Sequence, residues 1–194
     1  MGCDVAFAPQ EEEIYPEPQE YKLHPPARLA DILEGQVRPG FFTGVCTVVL
    51  KLFHAVQPDA AVFGKKDYQQ LLVIRSMLRQ LMLPIKLITA ETVRASTGLA
   101  LSSRNGYLTD AQRSEAAQLN SVLTKAVAEV KAGRTDWDKL EREASDALSA
   151  HGWLVDYVAI RRQSDLALPL TGDRLVVLGA ARLAGSRLID NLEI

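Results

Sequence analysis

The strongest constraint on the fold is an alternation of strand-like and helix-like patterns in the first half of the 194-residue chain. An apolar run at 60–63 leads through Gly64 into a helical pattern at 67–81, and a second strand-like run follows at 84–89. Another helical pattern, at 43–56, comes before the first strand. Strand–helix–strand alternation is typical of a parallel sheet covered by helices. We therefore predict an α/β fold.

The N-terminal residues add one more strand to this prediction. Asp4–Pro9 is a short apolar run ended by proline, which indicates a buried strand. Residues 10–26 carry four prolines and three consecutive glutamates, which indicates an irregular surface loop. Three candidate strands make a partial Rossmann-like sheet. Because a parallel sheet is covered on both faces, we expect earlier strands of this fold to lie outside the present sequence.

The pattern changes after residue 89, where an α+β arrangement begins. Thr109 and Gln112 have the spacing of a capping box, in which each residue bonds the backbone of the other at a helix start. We predict two domains, of residues 1–92 and 93–194. Two helical patterns and three strand-like runs follow residue 89, at 109–132, 137–150, 155–161, 174–181 and 187–192.

Composition argues against several classes of protein. The chain has 22 basic and 24 acidic side chains and a net charge of −2, which argues against a nucleic-acid binder with a broad basic surface. Its two cysteines, Cys3 and Cys46, form no disulfide framework, so we expect a reducing, intracellular compartment. Neither cysteine lies in a Cys/His cluster, so we expect no metal site of the protein's own. No run of about 18 apolar residues indicates a membrane span.

The turn between the first central strand and its helix is unusually polar. It reads Gly64-Lys65-Lys66-Asp67-Tyr-Gln-Gln70. Glycine lets a ligand approach the backbone, and a helix N-terminus offers free N–H groups to phosphate. The alternative is a solvated connection with lysines on its surface, since short polar turns are common. This stretch alone does not decide between them.

A second polar stretch, Ser102-Ser103-Arg104, follows Gly98 near the predicted domain junction. A guanidinium and two hydroxyls are suitable donors for phosphate oxygens. The alternative is a simple turn built around Asn105-Gly106. The two stretches together suggest that a nucleotide triphosphate is held from two sides. Neither is a Walker P-loop or a dinucleotide-binding fingerprint.

Four stretches taken together resemble the pantothenate synthetase (pantoate–β-alanine ligase) family. They are LEGQVRPGFFTGVCTVVLKLF at 33–53, FGKKDYQQL at 63–71, LSSRNGYL at 101–108 and RLIDN at 187–191. The resemblance extends over essentially the whole chain in order. It implies a nucleotidyltransferase-type fold, with a Rossmann-like domain that binds nucleotide and pantoate and a smaller C-terminal α+β domain. It also implies a cytoplasmic homodimer.

The reaction implied by the resemblance is the ATP-dependent condensation of pantoate with β-alanine, which belongs to the route to coenzyme A. Pantoate and MgATP first give pantoyl adenylate and pyrophosphate. The amine of β-alanine then displaces AMP and forms pantothenate. Charge develops on phosphate oxygens during the first step, so preorganised cations and donors are expected at the site.

The resemblance also assigns roles to residues of this chain. Lys66 would contact phosphate, Gly64 and Asp67 the ribose side of ATP, and Gln70 pantoate. A surface role for Lys66, or a helix N-cap role for Asp67, is the alternative reading. The implied ATP-binding set is Gly64, Lys65, Lys66, Asp67, Val93, Leu101, Ser102, Ser103 and Arg104, with catalytic roles for Lys66, Ser102, Ser103 and Arg104.

The sequence departs from the family pattern in three places. The family's N-terminal His-x-Gly-His segment is not found in these 194 residues. Phe41 stands where the family has a site histidine, and Lys65 where it has glutamate. We therefore expect this chain by itself to be weakly active or inactive, and to associate with itself through its incomplete sheet. The alternative is a non-catalytic nucleotide-binding or dimerising remnant of the enzyme.

Overall fold

The computed structural model describes residues 2–194, and from residue 41 onward its helices and strands follow the predicted order. Short 3₁₀ turns at Lys65–Asp67 and Ser103–Tyr107 carry the two polar stretches. The helices are α1 (Glu11–Ile14), α2 (Ala27–Ala30), α3 (Glu34–Val37), α4 (Phe41–Val56), α5 (Tyr68–Gln80), α6 (Asp110–Lys131) and α7 (Trp137–Ala150). The strands are β1 (Ala60–Gly64), β2 (Lys86–Ala90), β3 (Leu154–Arg162), β4 (Leu175–Leu183) and β5 (Ser186–Glu193).

The central strand–helix–strand unit is confirmed. Strands β1 and β2 pair in parallel, with Val62 opposite Ile88, and α5 connects them. Their side chains alternate, so that one face packs on α4 and α5 while the other face is open. Val62 and Ile88 lie on the open face and are 62% and 40% exposed. This part of the chain therefore presents an apolar sheet face that residues 2–194 do not cover.

The predicted N-terminal strand at Asp4–Pro9 is wrong. These residues form no strand pairing, and Val5 and Phe7 are 81% and 54% exposed. An apolar run can indicate a strand, but a strand also needs a neighbour whose backbone groups are free to pair with it. The parallel sheet consequently has two strands in the described residues rather than three.

The C-terminal half contains the predicted helices and strands. Helix α6 begins with the expected capping box: the backbone N–H of Gln112 donates to Thr109 Oγ1 at 3.3 Å, and that of Thr109 to Gln112 Oε1 at 2.9 Å. Strands β3, β4 and β5 form an antiparallel sheet in sequence order. The α/β fold class, a parallel unit followed by an α+β part, is confirmed.

Strand β4 is covered on both faces, which explains its continuous apolar sequence. Val177 and Ala181 point toward the hydrophobic cluster formed with α6 and α7. Val176 and Leu178 point the other way, into the cluster built by α2, α4 and α5. The three-stranded sheet therefore packs against both halves of the chain. The predicted domain boundary near residue 92 stays a prediction.

No helix within residues 2–194 is long and apolar enough to cross a membrane.

Candidate functional site

The two polar stretches meet at one cleft of about 360 Å³. Lys66, Asp67 and Gln70 line it from the β1–α5 connection, and Arg104 lines it from the second stretch. Strand β5 forms its floor through Arg187, Ile189 and Asn191. A smaller recess shares Lys66 and Arg104 with this cleft and adds Ser102.

The turn that carries Lys66 is fixed by backbone geometry and by one side chain. Gly64 ends β1 in an extended conformation, and Lys65–Asp67 form a 3₁₀ turn that runs directly into α5. Asn191 donates from Nδ2 to the carbonyls of Lys65 and Lys66, at 3.0 and 2.9 Å. Asp67 occupies the N-cap position of α5, but its side chain makes no capping hydrogen bond. Its carboxylate borders the cleft.

Gly64 has room beside it. Within residues 2–194, no atom other than those of Gly64 and its two chain neighbours lies within 4 Å of the position that a Cβ would take, and its φ of −77° is accessible to any residue. Neither packing nor backbone conformation therefore demands glycine here. Close approach of a ligand is a remaining physical reason for it.

The Ser102–Arg104 stretch is held by a small hairpin. Arg94 and Ala100 pair as an antiparallel bridge, and Leu101 N–H donates to the Val93 carbonyl at 2.9 Å. Ser102 Oγ then caps the 3₁₀ turn by accepting from Arg104 N–H at 3.2 Å. The exposed Ser103 and Leu101 lie beside the cleft rather than in its lining. Val93 is 68% exposed at the hairpin base.

Lys65 points to a different groove from its neighbour Lys66. Its Nζ lies 2.7 Å from Glu91 Oε1 and 2.9 Å from Glu193 Oε2, and it lines the groove that also contains Arg75. Hydrogen bonds to Glu91 and Glu193 raise the pKa of Lys65 above its ordinary value. Lys65 stays a predicted ATP-binding residue, but the structure commits its ammonium to two carboxylates outside the cleft.

An ion-pair network at the cleft was missed by sequence reasoning. Arg187 donates to Glu34 Oε2 and Oε1 at 2.9 and 2.6 Å, and to Asp156 Oδ2 at 2.6 Å. Tyr157 Oη donates to Glu34 Oε1 at 2.8 Å. Burial, followed by the charge of Glu34, raises the pKa of Tyr157, so that this hydroxyl remains a neutral donor. Glu34 and Arg187 lie within quoted family motifs, but their sequence separation concealed the pair.

Gln69, the neighbour of Gln70, contributes to the fold rather than to the cleft surface. It is buried, it donates from Nε2 to the carbonyls of Leu29 and Ile32, and it accepts from Glu34 N–H at 3.1 Å. These bonds tie α5 to the segment that carries Glu34. Gln70, one residue further along the helix, is left facing the cleft.

The charges of the cleft divide into paired and unpaired groups. Glu34 is neutralised by Arg187, and Asp190 by Arg94. Among residues 2–194, Lys66 and Arg104 form no ion pair. Excess positive charge facing a cavity favours an anionic ligand.

Arg38 also lines the cleft, and its guanidinium carbon lies 3.6 Å from the centre of the Phe41 ring. The aromatic face stabilises a cation at this distance. Phe41 cannot donate or accept a hydrogen bond, unlike the histidine that the family resemblance leads us to expect at this position. Within the described part of the chain, no group of three His, Cys, Asp or Glu residues is arranged to hold a metal ion.

Together, the parallel unit, the antiparallel sheet and the cation-lined cleft define an α/β protein with a site for an anionic ligand. The sequence profile described as pantoate-beta-alanine ligase matches residues 1–193. A pantothenate synthetase from Leptothrix cholodnii is 56% identical over 99% of this chain and 69% of its own length. This chain belongs to the pantoate-beta-alanine ligase family.

Solved structures agree with this assignment. A pantothenate synthetase from Thermus thermophilus superposes with a TM-score of 0.90 at 43% identity, over 99% of this chain and 70% of that one. A pantoate-beta-alanine ligase from Francisella tularensis, solved with beta-gamma ATP and beta-alanine, gives a TM-score of 0.71 at 30% identity. The match covers 94% of this chain and 62% of the Francisella tularensis chain. The predicted family and the class of ligase are confirmed.

Proposed function

We propose that this chain takes part in the condensation of pantoate with β-alanine through a pantoyl-adenylate intermediate, with MgATP as the nucleotide substrate. The observation that carries the proposal is the meeting of Lys66, Gln70 and Arg104 at one cleft in which Glu34 and Asp190 are already paired with arginines. The family supports ligation of pantoate and β-alanine with ATP. The Francisella tularensis relative, solved with both ligands named above, supports the choice of substrates.

In the first step, a pantoate carboxylate oxygen attacks the α-phosphorus of ATP, and the bond to pyrophosphate breaks. Lys66 and Arg104 supply positive charge where the phosphate oxygens gain negative charge. Ser102 and Ser103 add neutral donors at the same end of the site. The carboxylate of Asp67 and the open space at Gly64 suit the ribose, while the backbone at Val93 and Leu101 borders the nucleotide. Gln70 orients pantoate.

In the second step, the amine nitrogen of β-alanine attacks the acyl carbon of pantoyl adenylate. The bond from that carbon to the phosphate oxygen breaks and AMP leaves. The ammonium of β-alanine loses one proton to solvent to become a nucleophile, and the nitrogen loses a second to solvent as the amide forms. The same cations that hold the α-phosphate stabilise the departing AMP.

The test is an assay of the 194-residue chain with pantoate, β-alanine and MgATP, with AMP and pantothenate measured by liquid chromatography. Omitting β-alanine should leave pyrophosphate release and a bound adenylate. Replacement of a preorganised donor typically lowers kcat by about 100-fold or more, so Lys66→Met should lose at least that much. Lys131→Met, at an exposed position on α6, is the matched control. Equal and measurable turnover by both variants would remove Lys66 from the proposed site.

Phe41 favours a second candidate, a nucleotide-binding module with little or no catalysis. Its ring occupies the cleft wall where the family has a hydrogen-bonding histidine. The weak activity expected of this chain therefore stays a prediction. A chain that binds MgATP but releases no AMP, both before and after Phe41→His, would support this candidate. Turnover gained with Phe41→His would support the ligase.

A homodimer is also part of the proposal. The open β1–β2 face, with Val62 and Ile88 exposed, offers an apolar surface for self-association. Sedimentation equilibrium should give twice the mass of the 21.3 kDa chain. A Val62→Lys variant should shift the equilibrium toward monomer, whereas a monomeric unmodified chain would contradict the proposal. The cytoplasmic location implied by the family stays a prediction.

A further inference from the structure

Two adjacent residues of β5, Asp190 and Asn191, bond to the two polar stretches that the proposed function uses. Both are buried, with 4% and 6% of their surface exposed. Successive side chains of a strand point in opposite directions. Asp190 therefore reaches the hairpin before Ser102, while Asn191 reaches the turn that carries Lys66.

Asn191 fixes the Lys66 turn with a single amide group. Its Nδ2 donates to two consecutive carbonyls, those of Lys65 and Lys66, at 3.0 and 2.9 Å. An amide nitrogen carries two hydrogens, so both can be used at once. The backbone that carries Lys66 is thereby attached to β5.

Asp190 fixes the other stretch through a denser set of bonds. Its two carboxylate oxygens accept from both terminal nitrogens of Arg94, at 2.7 and 2.9 Å, in a bidentate pair. Asn120 Nδ2 and the backbone N–H of Asn191 also donate to it, at 3.0 and 2.8 Å. Bidentate pairs of this kind restrict orientation as well as adding energy.

Arg94 transmits this restraint toward Arg104. It stands at the base of the 93–101 hairpin, where it pairs with Ala100 and donates to the Gly98 carbonyl at 3.1 Å. The Ser102–Arg104 stretch begins directly after this hairpin. Arg94 also donates to the Asn191 carbonyl at 3.2 Å, which closes the network between the two adjacent β5 residues.

We propose that Asp190 and Asn191 are a positioning pair that sets the distance between Lys66 and Arg104 at the nucleotide phosphates. This inference rests on the proposed function, because it requires that the cleft binds ATP. Catalytic groups need placement within about half an ångström, supplied by residues behind them. Two neighbouring residues on one rigid strand supply a common reference for both stretches.

A purely structural role predicts a different energetic outcome. Buried polar groups are ordinarily hydrogen-bonded whether or not they serve a site. If Asn191 only stabilised the fold, its loss and the loss of Lys66 would affect nucleotide binding independently. If it acts through Lys66, its loss should matter little once Lys66 is gone. A double-mutant cycle separates these cases.

The cycle uses Asn191→Asp and Asn191→Ala, each with and without Lys66→Met. Asn191→Asp replaces a donor by an acceptor of the same size facing two carbonyls, and Asn191→Ala removes the group without adding charge. The readout is the Kd for MgATP by isothermal titration calorimetry, without pantoate. Circular dichroism and urea unfolding show which variants are folded.

The two single variants, Asn191→Ala and Lys66→Met, should each weaken MgATP binding by about tenfold, equivalent to one good hydrogen bond or ion contact. The double variant should bind MgATP within about twofold of Lys66→Met alone. Additive losses would instead make it about tenfold weaker than Lys66→Met, or about 100-fold weaker than the unmodified chain. Gln163→Glu is the matched control. It removes an amide-to-carbonyl bond, from Nε2 to Leu175 O at 2.9 Å, outside the cleft.

Each outcome of the cycle either supports or contradicts the positioning role. Additive losses, or unchanged affinity in a folded Asn191 variant, would overturn the positioning role while leaving the proposed function intact. A loss with Gln163→Glu as large as that with Asn191→Asp would also overturn it. No MgATP binding by the unmodified chain would refute the proposed function itself, and the positioning role with it.

Discussion

Arg187 and Glu34 are joined by two hydrogen bonds, of 2.9 and 2.6 Å, across a sequence separation of 153 residues. The pair links β5 to the segment before α4 and lies at the wall of the cleft. Both side chains are largely buried, with 16% and 10% exposed. Asp156 is a second carboxylate partner of the same guanidinium, at 2.6 Å.

Removal of Arg187 should be strongly destabilising, because it leaves the buried Glu34 carboxylate without its cation and the partly buried Asp156 with only the half-exposed Arg182, at 3.7 Å. We expect Arg187→Met to lower the free energy of unfolding by about 3–5 kcal/mol, the usual cost of breaking a buried ion pair from one side. Urea denaturation at pH 7 measures it. Arg134→Met is the control, since Arg134 also has several carboxylate partners but lies at the surface. We expect a much smaller loss there; equal losses would contradict the importance of burial.

Gly98 should not tolerate alanine. Its φ is +89°, and an added Cβ would lie 2.7 Å from Asn120 Oδ1. The left-handed conformation alone costs about 1–2 kcal/mol for a residue with a Cβ. Displacing Asn120 would add to this, because its Nδ2 bonds Asp190. Gly172→Ala is the matched control, at a φ of +87° with open space around it. Urea unfolding should show a larger loss for Gly98→Ala, and equal losses would exclude the clash.

The local parts of this fold were predictable from sequence. The capping box of Thr109 and Gln112 needs only two side chains three residues apart, and the β1–α5–β2 alternation is visible in the spacing of apolar residues. The strand at Asp4–Pro9 failed because the apolar pattern is local but strand pairing is not. No residue in the described part of the chain supplies its partner.

The two polar stretches of the candidate site were visible in the sequence, but the cleft at which they meet was not. Lys66, Gln70 and Arg104 stand out because their polarity exceeds what a turn requires. Glu34 and Arg187 give no such indication, since each is an ordinary charged residue until the fold brings them together. Lys65 shows that a residue within a polar stretch can also point away from the cleft. Its sequence position beside Lys66 suggested a shared role, but the 3₁₀ turn directs its ammonium toward Glu91 and Glu193.

The contact between Lys65 and Glu193 should make stability depend on pH. Partial burial raises the pKa of Glu193, but hydrogen bonds from Lys65 and Tyr68 lower it further, so that this pKa lies below its ordinary value of 4.5. A carboxyl group whose pKa is lower in the folded chain than in the unfolded chain stabilises the fold at pH values above its unfolded pKa. This contribution is lost as the pH falls through the folded pKa. The raised pKa of Lys65 adds stability that is fully present below 10.5 and is lost as pH rises through the folded value.

We therefore expect Glu193→Gln to reduce stability at pH 7 and to reduce it less as pH falls below 4.5, because the carboxylate of the unmodified chain is progressively neutralised there. Urea unfolding at pH 3, 5, 7 and 9 measures the profile. Asp138→Asn, near the start of α7, is a control carboxyl-to-amide change away from this contact. A Glu193→Gln profile parallel to that of the unmodified chain between pH 7 and pH 3 would contradict the assignment.

The two cysteines should differ sharply in reactivity. Cys3 is exposed, whereas Cys46 lies in α4 with 1% of its surface exposed, and burial raises the pKa of its thiol to about 11. Thiolate is the reactive species. Iodoacetamide at pH 8 should therefore label Cys3 within minutes and leave Cys46 unmodified until urea unfolds the chain. Mass spectrometry of tryptic peptides gives both rates, with Cys3→Ser as the control that isolates Cys46. Rapid native labelling of Cys46 would show that the packing of α4 against α5 opens readily.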